Sequence, residues 1–236
     1  MAKKTTYPDY KNWIPESMRL GADLFGLLGI GVCLWVNKMY YTFSYGGKRQ
    51  LSRTIVEGTA DYITLPEGGT GLDVGCGSGA LTIACAKKNP QGKMVGVDRW
   101  GKEYKDFSNE LCVKNAEAEG VADRVTFRKG DALKLDFPDE TFDAVTSNYV
   151  YHNITGADKQ ALLKETLRVL KKGGTFAIHD LMSPARYGDM DAFIAELKAE
   201  GYEDVQLIDT ANGKFIGRAE ALVMDLAGSK LLVGKK

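Results

Sequence analysis

Between residues 70 and 181 the apolar pattern switches period in a steady rhythm, and that rhythm restricts the fold more than any other feature of the chain. Short apolar runs at 70–75, 93–98 ("KMVGVD"), 124–130 ("RVTFRKG"), 142–148 ("FDAVTSN") and 175–181 ("TFAIHDL") read as strands. Helix-period segments at 79–88, 102–119 and 157–171 lie among them, the second stopping at Gly120 and the third at Lys172-Gly173-Gly174. Strands joined through helical crossovers run parallel and need cover on both faces. The predicted class is therefore α/β, a doubly wound and mostly parallel sheet. A helix at 188–200 and strands at 203–210 and 230–236 add an antiparallel edge pair at the C-terminal end. Ahead of the sheet, residues 48–64 place Leu51, Ile55, Ala60 and Ile63 at helical spacing.

A chain of 236 residues, 44% apolar, suits one good-sized domain with a short appendage. Lysine plus arginine equal aspartate plus glutamate at 31 each, so no net field favours a nucleic-acid backbone, and a nucleic-acid partner is not expected. Cys33, Cys76, Cys85 and Cys112 are scattered and form no C-x-x-C pair. With no secretory pattern in "MAKKTTYPDYKNW", they read as reduced thiols of a cytoplasmic protein. The two histidines, His152 and His179, have no helical ligand spacing, so no metal site is expected.

In such sheets ligands lie beyond the carboxyl ends of the strands. The first strand leaves the sheet there through "LDVGCGSG", Leu72–Gly79, where Gly75, Gly77 and Gly79 bare the backbone in front of a helix N-terminus. Gly75, Gly77 and Ala80 also satisfy the dinucleotide fingerprint, so NAD and S-adenosylmethionine (SAM) both fit the loop. Three acids separate them. Asp73, two residues before Gly75, repels a pyrophosphate but attracts an ammonium. Asp98 ends the second strand, where a carboxylate accepts ribose hydroxyls of either ligand. Asp131, in "KGDA" after the third strand, is placed for an adenine amino group. A nucleoside among acids is cationic and carries no phosphate, which favours SAM.

The stretches "LDVGCGSGALTIACAK", "VGVDRW", "GDALKLDFPDETFDAVTSNYVYHNI" and "LRVLKKGGTFAIHD" resemble, in order and spacing, the motifs of class I SAM-dependent methyltransferases of the type-11 kind. The resemblance covers roughly residues 70–182. It implies a Rossmann-like fold, SAM as cofactor and S-adenosylhomocysteine as product. Carried over by position, Gly75, Cys76, Gly77 and Gly79 contact the methionine part and Asp73 its amino group. Asp98 takes the ribose, and Arg99 and Trp100 cover the adenine face. Asp131 and the Ala132 N–H read adenine, and the Asn148 backbone lies near the sulfonium. The expected activity is methyl transfer to a small-molecule O, N, S or C nucleophile. A C-methyltransferase of a membrane quinone or other lipid is the alternative, although "NYVYHNI" stands where that subgroup usually has an arginine. A SAM-binding protein without catalysis and an NAD-dependent oxidoreductase are the remaining readings.

Methyl transfer needs an aligned nucleophile, exclusion of water and removal of a proton where the nucleophile carries one. In "SNYVYHN", Tyr149 and Tyr151 are candidates to wall a cationic methyl group. His152 is a candidate base, since a free imidazole titrates near neutral pH; the other reading makes it a residue that closes the cofactor pocket. Residues 1–47 read as an arm and an apolar helix ahead of a methyltransferase domain at 48–236, the helix following a start at Pro15-Glu16. Leu24–Val36 are thirteen apolar residues in a row, and the eighteen between Arg19 and Lys38 would span about 27 Å as a helix, short of a hydrocarbon core of roughly 30 Å. Residues 20–37 thus suit a helix packed on the domain, one resting at a membrane surface, or an anchor at its inner face. Tyr40, Tyr41 and Tyr45 are expected to line the acceptor site or an interfacial belt. Nothing in the sequence sets the oligomeric state.

Overall fold

The computed structural model describes residues 8–23, 29–101 and 106–236, with the backbone alone for 21–23. Seven strands form one sheet in the order β3-β2-β1-β4-β5-β7-β6. They are β1 (Thr70–Val74), β2 (Lys93–Asp98), β3 (Val125–Lys129), β4 (Phe142–Asn148), β5 (Leu170–Leu181), β6 (Glu203–Asp209) and β7 (Ser229–Lys235). The first five are parallel, and β7 runs antiparallel between β5 and β6. This is the doubly wound sheet with an antiparallel edge pair that the apolar periods predict. The strand order reverses between β1 and β4, so the crevice of the switch point opens at the ends of those two strands.

Side chains alternate across each strand and feed two separate cores. On one face α3 (Leu51–Ala60), α4 (Ala80–Lys88) and α5 (Asn109–Ala118) pack Leu51, Ile55, Ile83 and Ala116 against Met94, Ala144 and Ala177. On the other, α6 (Lys159–Arg168) and α8 (Met190–Ala199) pack Leu162, Leu163 and Phe193 against Leu72, Val74, Val145 and Ile178. The alternation leaves Asp73, between Leu72 and Val74, on the α4 face, which is where the glycine loop turns.

Two element boundaries differ from expectation. Lys172-Gly173-Gly174 does not end a helix: α6 stops at Arg168, and β5 already begins at Leu170. The glycines make an irregularity in β5, where pairing with β4 jumps from Phe142–Leu170 to Ala144–Thr175. Gly173 has φ +80°, and a Cβ on Gly174 would lie 2.7 Å from the Asp143 carbonyl, so only glycine fits this bulge. The helix expected over 102–119 starts at Asn109, where the Ser108 hydroxyl accepts from Leu111 N at 3.2 Å. Residues 102–105 of that expectation lie outside the described residues.

The N-terminal segment forms α1 (Glu16–Asp23) and α2 (Ile30–Phe43), and residues 24–28 of the apolar run lie outside the described residues. α2 packs on the sheet domain through Phe43, which joins the core on the α3–α4–α5 face of the sheet. Among the described residues no helix is long and apolar enough to cross a membrane. The arm ahead of α1 lies over the glycine loop: Asn115 on α5 accepts from Asp9 N at 2.7 Å and donates to Ser78 O at 2.9 Å. Short helices α7 (Pro184–Tyr187) and α9 (Arg218–Val223) complete the described fold.

Candidate active site

A cavity of about 620 Å³ opens at the carboxyl ends of β1 and β4. Its floor is the glycine loop. Gly75 N and Cys76 N both donate to Val97 O, at 2.8 and 3.1 Å, which ties the loop to the end of β2. Gly75, Gly77 and Gly79 all have positive φ (+74°, +56° and +84°), a conformation that L side chains rarely adopt. A Cβ on Gly75 would also lie 2.3 Å from Val150, whereas one on Gly77 would meet no protein atom and would project into open space. The loop is built to bring backbone close to a ligand.

The acids take up distinct positions around it. Asp98 is half-buried, and its carboxylate accepts from Gly77 N at 2.9 Å and Trp100 N at 2.8 Å. Lone pairs remain on both oxygens for hydroxyl donors. Asp131 is exposed at the cavity edge with Ala132 and Leu133, and its Oδ1 accepts from Leu133 N at 2.9 Å. Asp73 is 1% exposed and, among the described residues, has only the Thr82 and Thr146 hydroxyls as side-chain donors, at 2.6 and 3.0 Å. Burial pulls its carboxyl up to about 7, against the downward effect of those hydrogen bonds. No lysine or arginine pairs with it among the described residues, so a cationic ligand group above the loop would supply the missing countercharge. The residues present therefore fit SAM, which brings an ammonium and a sulfonium.

The far half of the cavity is apolar. Trp35, Met39 and Phe43, four residues apart on one face of α2, form a wall with Trp13 from the arm and Leu226 after α9. Trp13 packs on Phe43 and edge-on to Tyr149, each with ring centroids 5.5 Å apart. α2 is held over the cavity by a bond from Trp35 Nε1 to Val223 O at 2.6 Å. Arg49, between α2 and α3, grips Glu220 of α9 through both Nε and Nη2 at 2.9 Å.

Between the two halves, Tyr149 and His152 come from the turn after β4. Tyr149 has φ +55°, which swings the chain out of the strand into a 3₁₀ turn over Tyr151–Asn153. Its hydroxyl bonds Ser229 Oγ at 2.6 Å, and burial raises its phenol well above the ordinary range. Its ring faces the cavity beside Asn148, whose Oδ1 meets His179 Nδ1 at 2.9 Å. His179 is wholly buried, and burial drives its imidazole down to about 3, so it stays neutral beneath the site. His152 lines the cavity with its side chain 17% exposed, and its Nδ1 meets Asp180 Oδ1 at 2.5 Å.

Five expected side chains are placed elsewhere. Tyr151 is fully buried with its hydroxyl on Thr166 at 2.5 Å, so it is not a wall of the cavity. The left-handed backbone of Tyr149 and the 3₁₀ turn that begins at Tyr151 break the strand alternation, so residues 149 and 151 do not share a face, which is the reason the pair separates. Trp100 does not line the cavity either; its Nε1 donates to Gly77 O at 2.9 Å and buttresses the loop, while Arg99 and Phe107 do line the cavity. Tyr40 and Tyr41 pack edge-on to each other at 5.4 Å, with Tyr41 59% exposed, and Tyr45 packs on Tyr10 at 4.8 Å. They sit off the α2 face that Trp35, Met39 and Phe43 present to the cavity. The spacing of those three was available in the sequence; the Asp180–His152 contact, 28 residues apart, was not.

The comparisons with known proteins bear on the whole of this arrangement. The family model for a methyltransferase domain matches residues 65–218, from the loop between α3 and β1 to the start of α9. The chain belongs to the methyltransferase-domain family. A demethylmenaquinone methyltransferase of Lactobacillus johnsonii is 30% identical over 155 residues, 61% of each chain. A sterol 24-C-methyltransferase of Aspergillus fumigatus is 32% identical over 128 residues, 54% of this chain and 32% of that one. The chain thus spans between a third and three-fifths of the length of these relatives. In fold it is similar to a geranyl diphosphate methyltransferase solved with SAM (TM-score 0.61, 16% identity, 83% of this chain and 90% of that one). It is equally similar to the cyclase SpnF (TM-score 0.59, 21% identity, 80% and 82% covered), so the fold alone does not choose the reaction. For this methyltransferase-family chain the choice has to come from the site.

Proposed function

We propose that the protein is a SAM-dependent methyltransferase that acts on a small, apolar acceptor. The observation that carries this reading is Asp73, a buried carboxylate without a countercharge among the described residues, under a bare glycine loop and in line with Asp98 and Asp131. That row suits a cationic nucleoside and disfavours a dinucleotide phosphate. Asp98 takes the ribose hydroxyls, Asp131 and the Ala132 N–H hold the adenine, and Gly75–Gly79 carry the methionine part. When bound, SAM supplies an electrophilic methyl group. Tyr149 walls that group with its ring, and Trp13 with the α2 wall excludes water from it. His152 takes the proton that the acceptor loses.

The apolar wall supports an acceptor of lipid or quinone character, in keeping with the names of the relatives. A peripheral membrane contact is the accompanying reading, on the cytoplasmic side. Ile30, Val32 and Leu34 on α2 and Leu222 and Val223 on α9 are exposed, from 40 to 76%, on the two helices that Trp35 joins beside the cavity. An acceptor leaving a bilayer would meet that surface first. The test is incubation with methyl-tritiated SAM and a cell extract divided into lipid and water-soluble fractions. Label in an organic-soluble product is expected; label in neither fraction would contradict the assignment.

A further inference from the structure

Asp180, next to last in β5, lies behind the cavity and is completely buried. Both of its oxygens are committed. Oδ1 accepts from His152 Nδ1 at 2.5 Å and from Leu181 N at 2.7 Å. Oδ2 accepts from His152 N at 3.1 Å and from the Tyr187 hydroxyl at 2.8 Å. Asp180 therefore grips His152 twice, by ring and by backbone, and Tyr187 on α7 locks the carboxylate from the other side.

The chemistry of this cluster is directional. Burial pulls the Asp180 carboxyl up, but the bonds from His152, Leu181 N and Tyr187 outweigh it and hold the group below its ordinary value, as the anion. A carboxylate only accepts, so Nδ1 of His152 must be the N–H, and Nε2 is left with the lone pair. The other titratable groups around Asp180 are Tyr149, Tyr151, Tyr187 and His179. None of these is a cation at neutral pH; Lys230 stands opposite Asp180 in the β5–β7 register, and among the described residues His152 is the one side chain hydrogen-bonded to Asp180 that can become a countercharge.

We propose that Asp180 is a positioning residue for methyl transfer, fixing His152 in the Nδ1–H tautomer and stabilising the imidazolium that forms when Nε2 takes a proton. This rests on His152 as the base. It also narrows the acceptor to a protic one, a phenol, enol or hydroquinol, because a thioether or tertiary amine has no proton to give. In the step, the acceptor X–H gives its proton to Nε2 and its electron pair forms the bond to the methyl carbon. The electron pair of the broken carbon–sulfur bond stays on sulfur, and the imidazolium then releases its proton to solvent.

The chain has only two histidines, which makes the test direct. Long-range proton–nitrogen NMR of the ¹⁵N-labelled full chain shows two imidazoles, and a His152→Gln variant assigns them. Wild type is expected to show His152 protonated at Nδ1 and bare at Nε2. Asp180→Asn is expected to lose that tautomer, to transfer label to the lipid-extract acceptor about 10²–10⁴-fold more slowly, and to keep its SAM affinity. Asp180→Glu should recover part of the rate. An Nε2–H tautomer in wild type overturns the proposal even if the variant does not fold, and so does an unchanged tautomer and rate in Asp180→Asn. Failure of the base reading looks different: His152→Ala then keeps its rate whatever the tautomer.

Discussion

A carboxylate with two hydroxyls for side-chain donors is costly to bury, and Asp73 is placed that way directly beneath the loop that meets the ligand. Its raised pKa has a defined sign in both stability and binding. Because the folded value, about 7, lies above the unfolded value of about 3.8, the fold without ligand binds the extra proton between them. Its stability should therefore fall as pH rises through that window. A cationic ligand favours the ionised form, so SAM affinity should rise with pH up to about 7, then level off, losing up to about tenfold per pH unit below. Calorimetry across that range measures it, and Asp73→Asn should flatten the curve. At Asp98, replacement by alanine removes hydrogen bonds to a charged acceptor worth about 1.5–3 kcal/mol each. SAM affinity should drop at least about tenfold, and wild-type affinity in that variant would refute the ribose site. Asp73, Asp98 and Asp131 were legible in the sequence because each lies within two residues of a strand's carboxyl end and inside a readable motif. Asp180 was not, since its partner lies in a turn whose geometry no periodicity encodes.

At the scale of elements, α2 supplies three side chains of the cavity's apolar wall. Trp35, Met39 and Phe43 share one face, while Tyr41 looks to solvent and Tyr40 and Tyr45 pack among other aromatic rings. Met39→Trp should therefore raise the acceptor KM several-fold and leave SAM affinity near wild type, because overfilling acts only on the apolar half. Tyr41→Ala should change turnover by less than about twofold. A large loss in Tyr41→Ala with none in Met39→Trp would reverse the assignment of faces; steady-state kinetics decides between them. The apolar run announced a helix here, but a run apolar on all sides does not say which face is inward. Gly173 and Gly174 misled for a related reason: a glycine pair marks a backbone irregularity, and whether it ends a helix or bulges a strand depends on the neighbouring strand.

For the whole molecule, the parallel sheet followed from the alternation of periods, and the strand order, which no periodicity encodes, puts the cavity where it reverses between β1 and β4. The helical cover above it was the part that local pattern did not specify, because arm, α2 and α9 meet only through distant bonds such as Arg49–Glu220 and Trp35–Val223. That cover should also set membrane behaviour. Liposome flotation of a Leu34→Asp, Leu222→Asp double variant should fall several-fold relative to wild type, with SAM affinity unchanged; equal flotation would remove the membrane surface from the account. The central claim, a cationic and phosphate-free nucleoside ligand on the β1 loop, is tested most directly by calorimetric titration with SAM and with NAD at about pH 8. One equivalent of SAM binding with no NAD binding is the predicted result, and NAD binding with no SAM binding would contradict it.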